Sequence, residues 1–220
     1  MREVVIFGAG DIAALASFYF REDHGRRVAA FTVDAAYRQG ELFLGCPLVD
    51  FETVAEKYPP SDYDFFVALS YTKLNRLRAE KVAAAKRLGY TLISYVSSRA
   101  TVFSDLTHGE NCFILENNVI QPYVRLGANV TLWSGNHIGH HSVIQDDVFI
   151  ASHVVVSGGV EIGRGCFIGV NATLRDHVSL GRECVIGAGA LVLEDQPDYA
   201  VVAPGGTARS SVPSTRLRRI

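Results

Sequence analysis

A period of six residues constrains the fold of this 220-residue chain more than any other feature. From Leu126 to Val192, every sixth residue is leucine, isoleucine or valine, and no insertion breaks the count. Four positions after each of these as far as Ile186 stands a small or β-branched residue, with Asn136 as the one exception. Six matches neither the 3.6-residue period of a helix nor the twofold alternation of a strand, but it is the period of a hexapeptide β-solenoid. The sequence therefore predicts short strands joined by corners, with three hexads to each rung.

The period also predicts how the interior of the solenoid is filled. We expect the aliphatic residue of each hexad to point into a triangular prism and the small residue to fill the corner beside it, so that neighbouring rungs bury both. Weaker hexads continue the pattern backward through Ile120, Ile114, His108 and Val102. The solenoid is therefore expected to begin near Val102 and to contain about five rungs.

A different pattern precedes the solenoid. Apolar runs alternate there with helix-like stretches, which predicts a small parallel sheet. The predicted elements are strands at 3–7, 28–33, 64–69 and 90–94 and helices at 12–20, 51–57 and 73–88. Four basic residues are expected to face outward on the last helix: Arg76, Arg78, Lys81 and Lys86. Because 48% of the residues are hydrophobic, the chain can supply two cores, and we divide it into an α/β domain (1–98) and a solenoid with a C-terminal cap (99–220).

Two features of the α/β domain suggest a nucleotide. The first strand closes on Gly8-Ala9-Gly10-Asp11, so a glycine turn leads into a helix whose free amides and dipole favour a phosphate. The second strand ends at Asp34, where an acid can reach a ribose hydroxyl. Two plainer interpretations stay open, since the turn can simply pack a helix against a strand and Asp34 can be a solvated carboxylate.

Charge and cysteine usage exclude several classes of function. Lys and Arg number 21 against 23 Asp and Glu, for a net charge of -2, which gives no reason to expect nucleic acid or an acidic membrane surface. The basic tail at Arg216, Arg218 and Arg219 is too short to change that. The N-terminal apolar run is far shorter than a signal-peptide core or a membrane span, so we expect a cytoplasmic protein.

Three cysteines fall on the small interior position of the hexad and are expected in the core: Cys112, Cys166 and Cys184. No CxxC spacing suggests zinc, and no metal is expected.

Histidines concentrate in one segment of the solenoid, which holds His137, His140, His141 and His153. The hexad register places His140 and His141 at a corner, where side chains project outward, and one rung later puts Gly158 and Gly159 at the same two positions. A corner histidine above a bare glycine leaves room for an extended ligand along the wall, so we interpret this corner as a site.

Two further residues in this segment are candidates for substrate binding. Trp133 is expected to face outward, either in a subunit interface or in an acceptor pocket. Asn136 breaks the small-residue rule in the same rung, and local exceptions in a regular repeat often mark a functional site.

The combination of IFGAGD, IGHHSVI, SGGVEIGRGCFIGVNATL and AGALVLED resembles the bacterial nucleotide-sugar acetyltransferases of the left-handed β-helix superfamily. These are enzymes of bacillosamine, perosamine and sialic-acid gene clusters, and the resemblance covers essentially the whole chain. It implies a left-handed solenoid, a homotrimer, acetyl-CoA in the groove between adjacent prisms, and a nucleotide-linked amino sugar held by a Rossmann-like domain at residues 1–98. The implied role is N-acetylation in polysaccharide biosynthesis.

The resemblance also implies site residues. His140 matches the catalytic base, which accepts a proton from the sugar amine, and Gly158, Val170 and Ala188 match positions that contact CoA. Two departures leave roles open. His141 stands where relatives carry an acid, so either His140 or His141 can be the base; Phe149 stands where many relatives carry a second histidine, so His153 or a backbone amide would have to polarise the thioester carbonyl.

Three other functions remain as alternatives. The first is O-acetylation of a sugar hydroxyl. The second is a zinc site of the γ-carbonic-anhydrase type, for which His141 and His177 stand in one column but Arg182 replaces the third ligand. The third is a non-enzymatic trimeric scaffold that binds a nucleotide. The sequence does not distinguish UDP, dTDP and GDP as the nucleotide.

Overall fold

The computed structural model describes residues 1–205 and Arg216. Residues 206–213 of the predicted cap, and Arg218 and Arg219 of the basic tail, lie outside the described residues. The α/β domain contains the strands β1 (Glu3–Phe7), β2 (Val28–Val33), β3 (Leu42–Phe43), β4 (Cys46–Asp50), β5 (Tyr63–Val67) and β6 (Thr91–Leu92). Its helices are α1 (Asp11–Glu22), α2 (Val54–Lys57) and α3 (Arg76–Arg87), with 3₁₀ turns at Ala35–Tyr37 and Phe51–Thr53.

The predicted parallel sheet is confirmed, in the order β3-β4-β2-β1-β5-β6, with only the short pair β3 and β4 antiparallel. Apolar residues fill both faces of the sheet, because alternate side chains of each parallel strand point to opposite sides. Helix α1 contributes Ala13, Ala16 and Phe20 to one core, and α3 contributes Val82 and Ala85 to the other.

The solenoid is a three-walled parallel β-helix of two-residue strands. The domain wall consists of β7 (Tyr95–Val96), β8 (Phe113–Ile114), β11 (Thr131–Leu132), β14 (Phe149–Ile150), β17 (Phe167–Ile168), β20 (Val185–Ile186) and β22 (Val201–Val202). The second wall consists of β9 (Val119–Ile120), β12 (His137–Ile138), β15 (Val155–Val156), β18 (Thr173–Leu174) and β21 (Leu191–Val192). The third wall consists of β10 (Arg125–Leu126), β13 (Val143–Ile144), β16 (Glu161–Ile162) and β19 (Ser179–Leu180).

Strand pairing confirms the rung of three hexads. Leu132 pairs with Ile150, and Ile138 pairs with Val156, so each residue meets the one a full turn further along the chain. The aliphatic and small positions form one continuous buried core, in which the three predicted cysteines are also buried. The fold class predicted from the period is therefore confirmed.

The first rung differs from the prediction. Tyr95 already pairs with Phe113, so the stack begins before Val102, and the α/β sheet ends only three residues earlier at Leu92. The expectation that Val102 and His108 continue the interior pattern is wrong, because both side chains are exposed. Side chains two positions earlier, Ala100 and Leu106, pack against the core instead. The division at residues 98 and 99 stays a prediction.

Aromatic residues cover the outward face of the domain wall. The Phe149 ring lies 5.1 Å from Tyr71 and 6.0 Å from Trp133, measured between ring centroids, and Phe149 is buried. The Trp133 ring also contacts Phe113, which packs against Phe66 of the α/β sheet. Trp133 thus packs between the solenoid and the α/β domain of its own chain and is half-buried there, and its role in a subunit interface or an acceptor pocket stays a prediction.

Arg78 is fully buried, so its predicted outward orientation on α3 is wrong. Its guanidinium donates hydrogen bonds to the Thr131 hydroxyl at 2.9 Å and to the Asn129 carbonyl at 3.0 Å, and it lies 5.6 Å from the centre of the Phe149 ring. Burial lowers the pKa of Arg78 to about 10, so the group is still charged at neutral pH. Carbonyl dipoles and an aromatic face take the place of water around this charge.

Candidate active site

The turns between the second and third walls form what we call the histidine corner: residues 139–142, 157–160 and 175–178. Strand β12 leads directly into it, and its first turn exposes both His140 and His141. The Gln121 side chain accepts a hydrogen bond from the His140 amide at 2.9 Å. His141 adopts a left-handed backbone conformation, with φ of 60°. This turn therefore presents two adjacent imidazoles outward from a fixed backbone.

The His140 ring lies over Gly158, as the hexad register predicts. A Cβ atom at Gly158 would stand 2.6 Å from His140 Cε1 and 2.7 Å from Nε2, closer than van der Waals contact permits. The His177 ring leans on Gly159 from the following rung, where a Cβ atom would stand 2.7 Å from its Cε1. The two glycines thus form a notch with one imidazole at each side, and any substitution at Gly158 would fill it.

The two corner histidines also contact each other. Their Nδ1 atoms are 3.1 Å apart, within hydrogen-bond distance, and the rings meet edge to face. The other neighbour of His141 is Tyr123, whose ring centre lies 4.6 Å away. Tyr123 was not singled out from the sequence, although it stands in the same column of the register as His141; His177 was placed in that column as a candidate zinc ligand only.

The other predicted cofactor residues lie elsewhere on the prism. Val170 and Ala188 stand at the corner between the domain wall and the second wall, where the Val170 carbonyl accepts a hydrogen bond from Gly189. Val170 is exposed and Gly158 lies at the opposite edge of the second wall. A ligand that contacts all three positions must therefore cross this wall or lie between two copies of the chain.

Neither Phe149 nor His153, the side chain expected to polarise the thioester carbonyl in its place, lies near His140 in one chain. Phe149 is on the domain wall, on the far side of the prism from the histidine corner. His153 leans on Gly135 at the corner that also carries Val170. The amide of Gly158 remains, because it has no hydrogen-bond acceptor among residues 1–205 and Arg216.

Asn136 does not point toward a ligand. It is buried, its Nδ2 donates to the Trp133 carbonyl at 2.6 Å, and its Oδ1 accepts from the Val154 amide at 2.8 Å. One rung earlier, Asn118 Nδ2 donates in the same way to the Leu115 carbonyl and also to the Trp133 carbonyl. The prediction that Asn136 binds substrate is replaced by a structural role, since both ends of the amide are used in holding adjacent corners together.

The glycine turn of the α/β domain keeps free amides. Gly8 has φ of 127° and its Cα lies so close to the Ala68 carbonyl that a side chain would collide. Gly10 caps α1 without a side-chain bond, and the first helical bond runs from Ala14 to Gly10, so the amide groups at the helix start are available to an anion. Asp11, the first helical residue, is exposed. A cavity of about 460 Å³ adjoins the turn, lined by Ala9, Val33, Tyr37, Gln39, Phe43 and Leu48.

Asp34 has a partner in the same chain. Lys81 donates to Asp34 Oδ1 at 2.6 Å, and its ammonium also lies 5.3 Å from the Phe7 ring and 5.5 Å from the Phe51 ring. Lys81 is therefore turned inward, contrary to the prediction from the sequence. A ribose hydroxyl at Asp34 would have to share the carboxylate with this lysine.

Within the part of the chain that the structure describes, no group of three or more His, Cys, Asp or Glu side chains could hold a metal ion. The zinc alternative, which needs a third ligand beside His141 and His177, therefore has no support in these residues. No helix of the described ranges, 1–205 with Arg216, is long and apolar enough to cross a membrane.

Comparisons with known proteins agree with this architecture. A model of the bacterial transferase hexapeptide (six repeats) matches residues 123–158, 141–176 and 159–194. The acetyltransferase domain of PglB from Neisseria gonorrhoeae superimposes with a TM-score of 0.81, at 24% identity over 93% of this chain and 97% of that one. A mutant of perosamine N-acetyltransferase from Caulobacter crescentus, in complex with CoA and GDP-perosamine, gives 0.72 at 25% identity over 90% and 92%.

A sequence relative points to the same class of enzyme. Serine acetyltransferase from Bacillus subtilis is 29% identical over 171 residues, which cover 70% of each chain. The structural relatives share both the α/β domain and the solenoid, whereas the family model covers the repeats alone. The repeats of this chain are therefore similar to bacterial transferase hexapeptides, and its fold is similar to that of the acetyltransferase domain of PglB and of perosamine N-acetyltransferase.

Proposed function

We propose that this protein is an acetyl-CoA-dependent N-acetyltransferase that acts on the amino group of a nucleotide-linked amino sugar. The acyltransferase class is confirmed by the serine and perosamine acetyltransferase relatives, and the latter binds CoA. The single observation that carries the finer proposal is the exposed imidazole of His140 above Gly158 in a chain that also has a glycine turn suited to a diphosphate.

His140 is the general base in this proposal. Its Nε2, which faces the notch, accepts a proton from the sugar amine while the amine nitrogen forms a bond to the thioester carbonyl carbon. The Gly158 amide donates to the carbonyl oxygen, where negative charge develops. The carbon–sulfur bond then breaks, and His140 returns the proton to the thiolate of CoA. The acetyl group ends on the sugar nitrogen, and the base is regenerated.

The α/β domain would hold the nucleotide. The amides at the start of α1 suit the diphosphate, since they lack acceptors and lie at the positive end of the helix dipole. Gly8 and Gly10 allow close approach of the phosphates, and the cavity beside Ala9 is open to the remainder of the nucleotide. Asp34 would accept a ribose hydroxyl at the oxygen that Lys81 leaves free.

We further propose a homotrimer with its active sites between subunits. The α/β domain packs on the domain wall, while the histidine corner is the opposite vertex of the prism, so the two sites of one chain face apart. Three outward residues of the second wall are exposed apolar side chains: Val119, Val155 and Leu191. A neighbouring prism on that wall would cover them and bring Val170 of one copy near Gly158 of another. Light scattering would check the mass in solution.

O-acetylation is a second candidate, favoured by the similarity to serine acetyltransferase, whose named acceptor carries a hydroxyl. The glycine turn and its cavity favour a nucleotide-linked acceptor over a free amino acid. An assay with acetyl-CoA and a panel of UDP-, dTDP- and GDP-linked amino sugars, their hydroxyl counterparts, and serine would separate the two, with CoA thiol release as the readout.

The same assay tests the base. We expect His140→Ala to lower kcat by about 10²- to 10⁴-fold, the usual contribution of a general base, with little change in the KM for acetyl-CoA. His108→Ala is the matched control, because His108 is exposed outside the histidine corner. Near-normal turnover by folded His140→Ala protein would disprove the assignment.

A further inference from the structure

The contact between His140 and His141 has a chemical consequence. With 3.1 Å between their Nδ1 atoms, one nitrogen must carry a hydrogen and the other a lone pair, because two N–H groups or two lone pairs would repel at this distance. The pair therefore shares a single N–H···N hydrogen bond, and its direction determines which tautomer each ring adopts.

The role of His140 Nε2 in the proposed reaction determines that direction. His140 presents Nε2 toward the glycine notch, where the proposed reaction needs a lone pair on that atom. A neutral imidazole with a free Nε2 carries its hydrogen on Nδ1. His140 Nδ1 is therefore the donor and His141 Nδ1 the acceptor, and His141 keeps its own hydrogen on Nε2.

We propose that His141 is a positioning residue, which fixes the reactive tautomer of His140 by accepting this hydrogen bond with a neutral imidazole instead of a carboxylate. The inference rests on the function proposed above. When His140 takes the amine proton at Nε2, its Nδ1 hydrogen stays bonded to His141, which stabilises the imidazolium. The acid that such a base commonly requires is thus replaced by a second histidine.

The surroundings of the pair support a neutral acceptor. The side chains in contact with His141 are the Tyr123 ring and His140, and the other titratable side chains of this corner stand two rungs away: Asp105, Asp176 and His177. A second added proton on the pair would set N–H against N–H and break the contact. The contact therefore exists only while one of the two Nδ1 atoms carries no hydrogen.

Substitutions at His141 can be made without backbone strain. Its φ of 60° is shared by Gly159 in the same column, with φ of 68°, and by Asn129 and Asn171 at the other corners. Glycine and asparagine, and to a lesser degree aspartate, accept this conformation. Three variants thus differ in the group that can accept a hydrogen bond from His140 Nδ1. His141→Gly offers no acceptor, His141→Asn offers a neutral one, and His141→Asp offers a charged one. Asn117→Gly, at an equivalent exposed turn outside the site, is the matched control.

We expect His141→Gly to lower kcat about tenfold to a hundredfold with the KM for both substrates unchanged, since the tautomer of the base is no longer fixed. His141→Asn should recover part of this loss. His141→Asp should recover more, and the acid limb of its pH–rate profile should move to higher pH, because a carboxylate favours the protonated form of its partner more than a neutral ring does. Asn117→Gly should match the wild type.

An NMR measurement tests the contact independently of turnover. In protein labelled with ¹⁵N at histidine, a scalar coupling between the two Nδ1 nuclei across the hydrogen bond is expected in the wild type and should be absent in His141→Asn. Wild-type turnover and an unchanged pH profile in His141→Gly, together with an inactive His140→Ala, would overturn this inference and leave the proposed function intact. An active His140→Ala would instead remove the base assignment on which the inference depends.

Discussion

The domain wall and the second wall have the same interior and opposite exteriors. Inward, both present aliphatic residues every rung, such as Ile150 and Val156, and both are fully buried. Outward, the domain wall carries Phe149, which the α/β domain covers, whereas the second wall carries Val155, which is exposed in the chain. The difference shows that the repeat fixes only the inward positions, and that the outward residue of each hexad determines what packs on the wall.

The largest expected effect contrasts these two outward residues. Phe149→Ala should lower the free energy of unfolding by about 3–5 kcal/mol, because it leaves a cavity between Trp133, Tyr71 and Arg78. Val155→Ala should cost less than about 1 kcal/mol in the isolated chain. Chemical denaturation measures both. If the destabilisation by Val155→Ala is larger and grows with protein concentration, a second copy of the chain covers the second wall. If Phe149→Ala and Val155→Ala destabilise the protein equally at all concentrations, the outward residues of the two walls do not differ in the way proposed.

The next effect concerns the charge beneath the domain wall. Arg78→Ala should destabilise the protein by about 2–4 kcal/mol, since it leaves the Asn129 carbonyl and the Thr131 hydroxyl without their donor. Arg76→Ala, two residues earlier on the same helix, removes only an exposed ion pair with Glu183 and should change stability little. If Arg78→Ala and Arg76→Ala lower the free energy of unfolding equally, the buried hydrogen bonds of Arg78 make no measurable contribution to stability.

The smallest effect depends on pH. Hydrogen bonds from Ser98 and Tyr95 of the solenoid lower the pKa of Asp23, at the end of α1, to about 2. A carboxyl whose pKa is lowered on folding stabilises the protein above its unfolded value of about 4, and this contribution is lost as the pH falls toward about 2. Asp23→Asn should therefore cost about 1 kcal/mol at pH 7, after allowance for solvent screening, and almost nothing near pH 2. A constant difference across that range would contradict the assignment.

Several parts of the site followed from the sequence because the register is a local property. Each rung repeats the same backbone path, so counting along the chain was enough to place His140 over Gly158 and to bury Cys166 and Cys184. The same counting placed His177 in the column of His141 and could also have identified Tyr123 there. That Gly158, Val170 and Ala188 contact the cofactor stays a prediction.

The sequence by itself determined the period, the interior and the position of the histidine corner, because burial of the aliphatic residues leaves the repeat only one register. The tertiary structure alone decided which wall the α/β domain covers. It thereby also decided the contacts and burial of three side chains: Trp133, Arg78 and Lys81. The local sequence pattern predicted that Arg78 and Lys81 lie on the outward face of a helix. Their partners lie far away in the chain and meet them only after the domains pack, so carbonyls, aromatic rings and a carboxylate replace the water that the sequence pattern implied.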